Sequence, residues 1–395
     1  MIYLDHAATT KMSRTAMEAM LPYMTEIYAN PSSLHSAGQQ ARAALDGARA
    51  RVAACLGCAA GEVTFTSGGT EADDQAILSA ARYGARQGKR HIVSTAFEHH
   101  AVLHMLRRLE GEGFSVTLLP VGADGLVSPA CVAEAIREDT CLVSVMYANN
   151  EIGTIQPIAE IGAVCRERGV PFHTDAVQAA GALPLGVGEL QVDMLSLSAH
   201  KFHGPKGAGV LYARRGLPLA NLLEGGAQER GKRPGTENVP AIMGMAAALE
   251  EACAARVASS TKIGALRDRL IAGLSAIPHA ALNGDAVRRL PGNVSFCFEG
   301  IEGESLLLLL DEAGIAASSG SACTSGSLEP SHVLLAIGRP HEVAHGSLRL
   351  TLGAENTAEE VETTIKAVWQ VVHYLRGMSP VWRDLVSGKK QFLLP

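Results

Sequence analysis

This chain has no long apolar run, no cysteine framework and no excess of positive charge. Its longest aliphatic stretch, residues 306–310, is far too short to cross a bilayer. The opening Met1-Ile2-Tyr3-Leu4-Asp5-His6 lacks the charged and apolar regions of a secretory leader, so a cytoplasmic location with no membrane association is expected. Eight cysteines are scattered over 395 residues, which suits reduced thiols rather than a secreted disulfide scaffold. A formal charge of −6 argues against nucleic acid as a partner, and the short basic stretch Arg230-Gly231-Lys232-Arg233 suits either a solvated turn or a phosphate contact. There is no internal repeat and no low-complexity tract, and no Gly-x-Gly-x-x-Gly follows the first strand, which disfavours a nicotinamide dehydrogenase.

What is present is core material. A hydrophobic fraction of 47% in a chain of this length supports two domains more readily than one. Ser36 is placed to cap a helix with Ala41, Ala44, Leu45, Ala48, Val52 and Leu56 on one face. Apolar runs at 63–66, 91–94, 115–119, 141–146, 172–175, 194–198 and 209–212 alternate with helical stretches, the pattern of a mainly parallel sheet covered on both faces. After a long helical pattern from about 239 to 276 the strands thin to 294–298, 315–317 and 347–351, which predicts a smaller α+β domain. The tail after Pro380 reads as loosely ordered or as docking a partner.

Chemistry gathers at strand ends. Asp175 closes one predicted strand, and Lys201, 26 residues later, follows another through Ser198-Ala199-His200. Open α/β sheets bind ligands at such carboxyl ends. An amine and a carboxylate there suit pyridoxal phosphate, whose aldehyde needs the one and whose ring nitrogen needs the other. At about 4 Å and an effective dielectric near 20, one carboxylate stabilises a pyridinium by roughly 4 kcal/mol, about three pKa units. The turn Ser67-Gly68-Gly69-Thr70-Glu71 runs from a strand into a helix and offers free N–H groups to a phosphate, with Ser198 and His200 as further donors. A surface lysine, a capping aspartate and a structural glycine turn are the plain alternatives.

Ser318 to Ser327 is a ten-residue run without a bulky side chain, and it contains Cys323. Such a segment cannot pack itself, so its thiol is expected to be exposed and mobile, whereas Cys141 and Cys297 sit in apolar strand runs. A thiol with pKa about 8.5 is only roughly 3% ionised at neutral pH, so a nucleophilic Cys323 needs a nearby cation, a helix N-terminus or an active-site base, for which His99 and His345 are candidates. Cys55-Leu56-Gly57-Cys58 has the spacing of half a zinc knuckle but no second pair, and helix-end packing is its simpler reading.

With these residues in hand, the chain resembles the pyridoxal-phosphate cysteine desulfurases over nearly its full length. The landmarks are Tyr3-Leu4-Asp5-His6-Ala7-Ala8-Thr9-Thr10, Asn30-Pro31-Ser32-Ser33-Leu34-His35, Ser67-Gly68-Gly69-Thr70-Glu71, Glu98-His99, Asn149-Asn150-Glu151, Thr174-Asp175-Ala176-Val177-Gln178, Ser198-Ala199-His200-Lys201, Arg233-Pro234-Gly235-Thr236-Glu237 and Ser319-Gly320-Ser321-Ala322-Cys323-Thr324-Ser325. The small-residue run resembles the long loop of the subgroup that hands sulfur to scaffold proteins, and Ser325-Gly326-Ser327-Leu328-Glu329-Pro330-Ser331-His332-Val333 is similar to the nitrogen-fixation branch. Departures are Ala199 and Pro234, where glycine and serine or alanine are frequent, and His100 in place of proline or lysine. The last residues do not match the tail of the housekeeping branch.

The resemblance implies an α/β fold-type I, class-V-like aminotransferase architecture: a large domain over 13–258 with a mainly parallel seven-stranded sheet, and a small α+β domain from 1–12 and 259–395 that carries the cysteine loop at about 318–330. Lys201 would hold pyridoxal 5'-phosphate as a Schiff base. Asp175 would pair with the ring nitrogen, Gln178 with the phenolic oxygen, and His99 would stack on the ring and carry protons. Gly69, Thr70, Ser198 and His200 would hold the phosphate, with Thr236 reaching that of the neighbouring subunit in a homodimer. Arg349 would bind the substrate carboxylate with help from Asn150. The implied reaction converts L-cysteine to L-alanine and leaves a persulfide on Cys323 for an iron–sulfur scaffold protein, nitrogenase supply included. A housekeeping desulfurase, a selenocysteine lyase, a C–S β-lyase and a non-catalytic sulfur-trafficking subunit are the alternatives. No metal site is expected beyond a transient iron–sulfur contact at Cys323.

Overall fold

Twelve strands form three sheets in a computed structural model that describes residues 1–319 and 329–394, so Cys323 lies outside the described residues. They are β1 (Ile2–Tyr3), β2 (Val63–Thr66), β3 (His91–Thr95), β4 (Ser115–Leu119), β5 (Thr140–Ser144), β6 (Phe172–Asp175), β7 (Met194–Ser198), β8 (Gly209–Ala213), β9 (Ala280–Leu282), β10 (Asn293–Phe298), β11 (Ile315–Ala316) and β12 (Ser347–Thr351). The large sheet has seven strands in the order β2-β8-β7-β6-β5-β3-β4. All neighbours pair in parallel except β8, which runs against both β2 and β7. In β3, β5, β6, β7 and β8 every residue is buried, because helices cover both faces and polar alternation has no solvent side to occupy.

The second core surrounds the three-stranded sheet β12-β10-β9, where Phe296, Phe298, Leu348 and Leu350 pack against helix Ala358–Met378. The helix Val239–Ser275 joins the two cores. Its buried residues cluster at Val239 to Leu249 and again at Leu270 and Leu274. The first group packs on helices Arg14–Thr25 and Ser36–Leu56, and the far end meets Ala358–Met378. No helix among the described residues is long and apolar enough to cross a membrane.

Three local readings change. Ser36 is the first helical residue, and the cap is His35, whose Nδ1 accepts the Gly38 N–H at 3.2 Å. Strands β1 and β9, with two and three residues, were too short to leave a periodic signal. The tail docks on its own chain: Phe392 stacks on His279 with centroids 3.6 Å apart, and the Leu393 and Leu394 N–H groups donate to the Glu299 carboxylate at 2.8 and 2.9 Å.

Candidate active site

The carboxyl ends of β6 and β7 lie side by side, since Asp175 pairs with Ser196. Asp175 is buried, and its Oδ1 accepts the Val177 N–H at 2.9 Å. Burial pushes its carboxyl up to about 6, with the nearby Lys201 ammonium pulling the other way. A buried carboxylate in this position gains from a further cation. Lys201, in the turn after β7, directs its Nζ to the carbonyls of Ala7 and Ala8 at 2.5 and 2.9 Å. Gln178 donates to the same Ala7 carbonyl at 2.9 Å. The amino-terminal segment is therefore held over the site by two of the expected residues. Lys201 and Gln178 also line a cavity of about 340 Å³ that extends toward Asn293 and Thr351.

At the phosphate end, strand pairing places Gly209 between Thr66 and Ser198. A Cβ on Gly209 would lie 2.7 Å from the Gly68 backbone, so glycine here lets the 67–70 turn close over β7. Gly69 is similarly constrained, because a Cβ would come within 2.8 Å of Val177. The helix Gly69–Ala85 that starts there has no side-chain cap, which leaves its first N–H groups directed at this corner. His200 contacts Thr9 Oγ1 at 3.2 Å, and burial pushes its imidazole down to about 4. Thr236 lines a separate cavity of about 250 Å³ with Ser67, Gly207 and Arg233 of the same chain.

His99 caps helix His100–Gly111 through Nδ1, which accepts the Ala101 N–H at 3.2 Å. Burial and then the Lys201 charge push it down to about 4, so the ring is neutral with its proton on Nε2. Arg349, buried on β12, pairs with Asp5 Oδ1 at 3.0 Å and donates to the Asn150 backbone carbonyl at 3.2 Å. Asn150 thus meets it through the backbone rather than the side chain, and Arg349 Nε has no partner among the described residues. His345 instead faces His341 and Glu302, the latter at 3.9 Å.

Several residues to which the sequence assigned no individual role line the same region. Ser318 exchanges backbone hydrogen bonds with Arg349. Ser331 donates to the buried Glu151 and caps helix His332–Ala336. His332 Nε2 lies 3.0 Å from the Glu98 carbonyl, and its ring is 4.7 Å from that of His100. Both ends of the segment that contains Cys323 are thereby fixed beside Arg349 and His99. Beneath Asp175, buried His173 sits between Ser144 Oγ at 2.9 Å and Ser196 Oγ at 3.0 Å, with Asp73 at 3.6 Å. Their motifs held the signal, since Glu98, Glu151 and His173 each adjoin or nearly adjoin a residue singled out for chemistry. The three departures are accommodated: His100 packs on His332, while Ala199 and Pro234 face Gly204 and Gly225, where a Cβ would approach within 2.9 Å.

The donor set fits pyridoxal phosphate: a buried acid lacking a full counter-charge, an amine within its field, and an uncapped helix start walled by glycines. The aminotransferase class-V family model matches residues 2–364. "Cysteine desulfurase IscS" of Methanosarcina thermophila is 54% identical and covers 96% of this chain and 94% of its own. "Cysteine desulfurase NifS" of Azotobacter vinelandii is 48% identical, covering 96% and 95%. Among solved structures, a NifS-like protein superposes with a TM-score of 0.89 at 37% identity, covering 95% of this chain and all of its own. SspA in complex with cysteine superposes with a TM-score of 0.80 at 35% identity, covering 90% and 100%.

Proposed function

The chain belongs to the aminotransferase class-V family, and we propose that it is a pyridoxal-phosphate cysteine desulfurase that converts L-cysteine to L-alanine and transfers the sulfur to Cys323. The observation that carries this reading is the convergence of Asp175, Lys201, His99 and Arg349 around one end of the large sheet in a chain 54% identical to a cysteine desulfurase.

When bound, the cofactor supplies an electron sink conjugated to the substrate Cα. Asp175 would hold the proton on the ring nitrogen, and Gln178 would take the phenolic oxygen. Gly69, Thr70, Ser198 and His200 bind the phosphate, with Thr236 of a second copy of this chain completing the cradle. Arg349 binds the substrate carboxylate bidentately, exchanging its Asp5 partner for it, and Asn150 lines the same pocket. Lys201 Nζ removes the Cα proton. His99, neutral and weakly basic, would stack on the ring and could pass its Nε2 proton to Cβ. Cys323 thiolate attacks the substrate sulfur: the S–S bond forms, the Cβ–S bond breaks with its electron pair going to Cβ, Cβ takes up a proton, and Lys201 returns a proton to Cα to give L-alanine. The persulfide then passes to an iron–sulfur scaffold protein, nitrogenase supply included, in the cytoplasm. Residues 13–258 form the cofactor-binding domain in this reading, with 1–12 and 259–395 closing over it.

Incubation with L-cysteine without reductant, followed by peptide mass analysis, is expected to add one sulfur atom to the peptide containing Cys323. Cys323→Ala should retain the cofactor's visible absorption yet release no sulfide. Undiminished sulfide release by that variant would refute the role of Cys323.

A further inference from the structure

We propose that Cys55 and Cys253 form a redox site, which a peroxide converts to an intrachain disulfide joining helix Ser36–Leu56 to helix Val239–Ser275. Cys55 lies near the end of helix Ser36–Leu56, three residues before Cys58. The left-handed Gly57, with φ of 66°, turns the chain after the helix. Cys55 and Cys253 instead meet across the packed interface of these two helices, each close enough to shift the other's ionisation, whereas Cys58 has Glu62 as its charged neighbour.

An independent contact fixes the register. Arg51 Nε and Nη2 hold Glu250 Oε2 at 3.0 and 2.5 Å. Arg51 lies four residues before Cys55 and Glu250 three before Cys253, so on each helix the charge and the thiol share a face. The ion pair clamps the helices one turn from the sulfurs. Both thiols are partly exposed, within reach of a small oxidant, while Cys141, Cys165 and Cys297 are buried.

The pair is asymmetric. The neighbouring Cys55 thiol lowers Cys253 and burial raises it, and Arg256, three residues further along the same helix, also favours the Cys253 thiolate, whereas Cys55 is raised. Cys253 is accordingly the attacking sulfur. Its thiolate takes one oxygen from hydrogen peroxide to give a sulfenic acid, releasing hydroxide that is protonated to water. Cys55 then attacks that sulfur and expels the second water, so two thiols and one peroxide become one disulfide and two waters. The bond would fasten the middle of the helix that links the two cores. None of this chemistry involves Lys201 or Cys323, so it stands apart from the proposed transferase reaction.

The test is graded hydrogen peroxide treatment of the holoenzyme, alkylation of remaining thiols, and non-reducing peptide mapping. The expected result is a Cys55–Cys253 linked pair of peptides that a thiol reductant separates again. It should be missing from Cys55→Ala and Cys253→Ala, both of which keep the turnover of the reduced parent. Recovery of both cysteines alkylated, or oxidised singly to sulfinic acids, at peroxide levels that consume Cys323 would overturn the proposal. A Cys55–Cys58 link would do so equally.

Discussion

Asp175 and Lys201 are legible in the sequence because one closes a short apolar strand and the other follows a second such strand by three residues, and strand ends are where an open sheet exposes polar groups. The partners of Arg349 are not, since Asp5 lies 344 residues away and only the folded chain brings the two together. Glu151 and Ser331, 180 residues apart, were hidden for the same reason. In the proposed site, replacing Asp175 by Asn would remove the charge that would keep the ring nitrogen protonated. With about three pKa units at stake, turnover of L-cysteine should fall by roughly 10²- to 10³-fold while cofactor content, read from visible absorbance, is retained. Lys201→Ala should instead abolish turnover and shift the absorption spectrum of bound cofactor. Arg349→Lys keeps the charge but loses the planar fork, so steady-state kinetics should show a raised KM for L-cysteine.

Among the elements, the buried strands of the large sheet were readable because their apolar runs are continuous, whereas β9, three half-buried residues, offered nothing for a period to act on. The closeness of the glycine turn to β7 was not readable at all, because it depends on Gly209 in a strand with reversed direction. Gly209→Ala should push the 67–70 turn off Ser198. Overpacking of this kind costs about 1–3 kcal/mol, so cofactor affinity should weaken by roughly tenfold or more in equilibrium titration of the cofactor-free protein. The loop that carries Thr236 depends on another buried contact, in which Glu229 accepts Arg49 Nη1 at 2.7 Å and the Phe65 N–H at 2.9 Å. Glu229→Ala leaves the guanidinium buried without its counter-charge. A loss of about 3–5 kcal/mol in folding stability is expected by chemical denaturation.

Across the whole molecule, the buried titratable groups oppose one another. Burial pushes Glu98 up to about 8 and Glu151 up to about 7, so the fold retains protons that an unfolded glutamate, near about 4.3, releases. Their contribution is fully present below the unfolded value and is lost as pH rises toward the folded one. Burial pushes His173 down to about 3 and His99 and His200 to about 4, so the histidines disfavour the fold only as pH drops below about 6.5. Above about pH 6.5 the histidines are neutral in both states, leaving the buried acids to set the slope. The cofactor-free chain should therefore lose stability between about pH 6.5 and 8, by about 1 kcal/mol per pH unit for each acid still titrating. Glu98→Gln should flatten that slope in denaturation series, and a profile that rises over the window would contradict the assignment.

The fate of the substrate's sulfur and carbon separates sulfur transfer from elimination, and product analysis with L-cysteine and a thiol reductant reads both. Stoichiometric L-alanine and sulfide are predicted. Pyruvate and ammonia in place of alanine would mean β-elimination and would rule out sulfur transfer to Cys323.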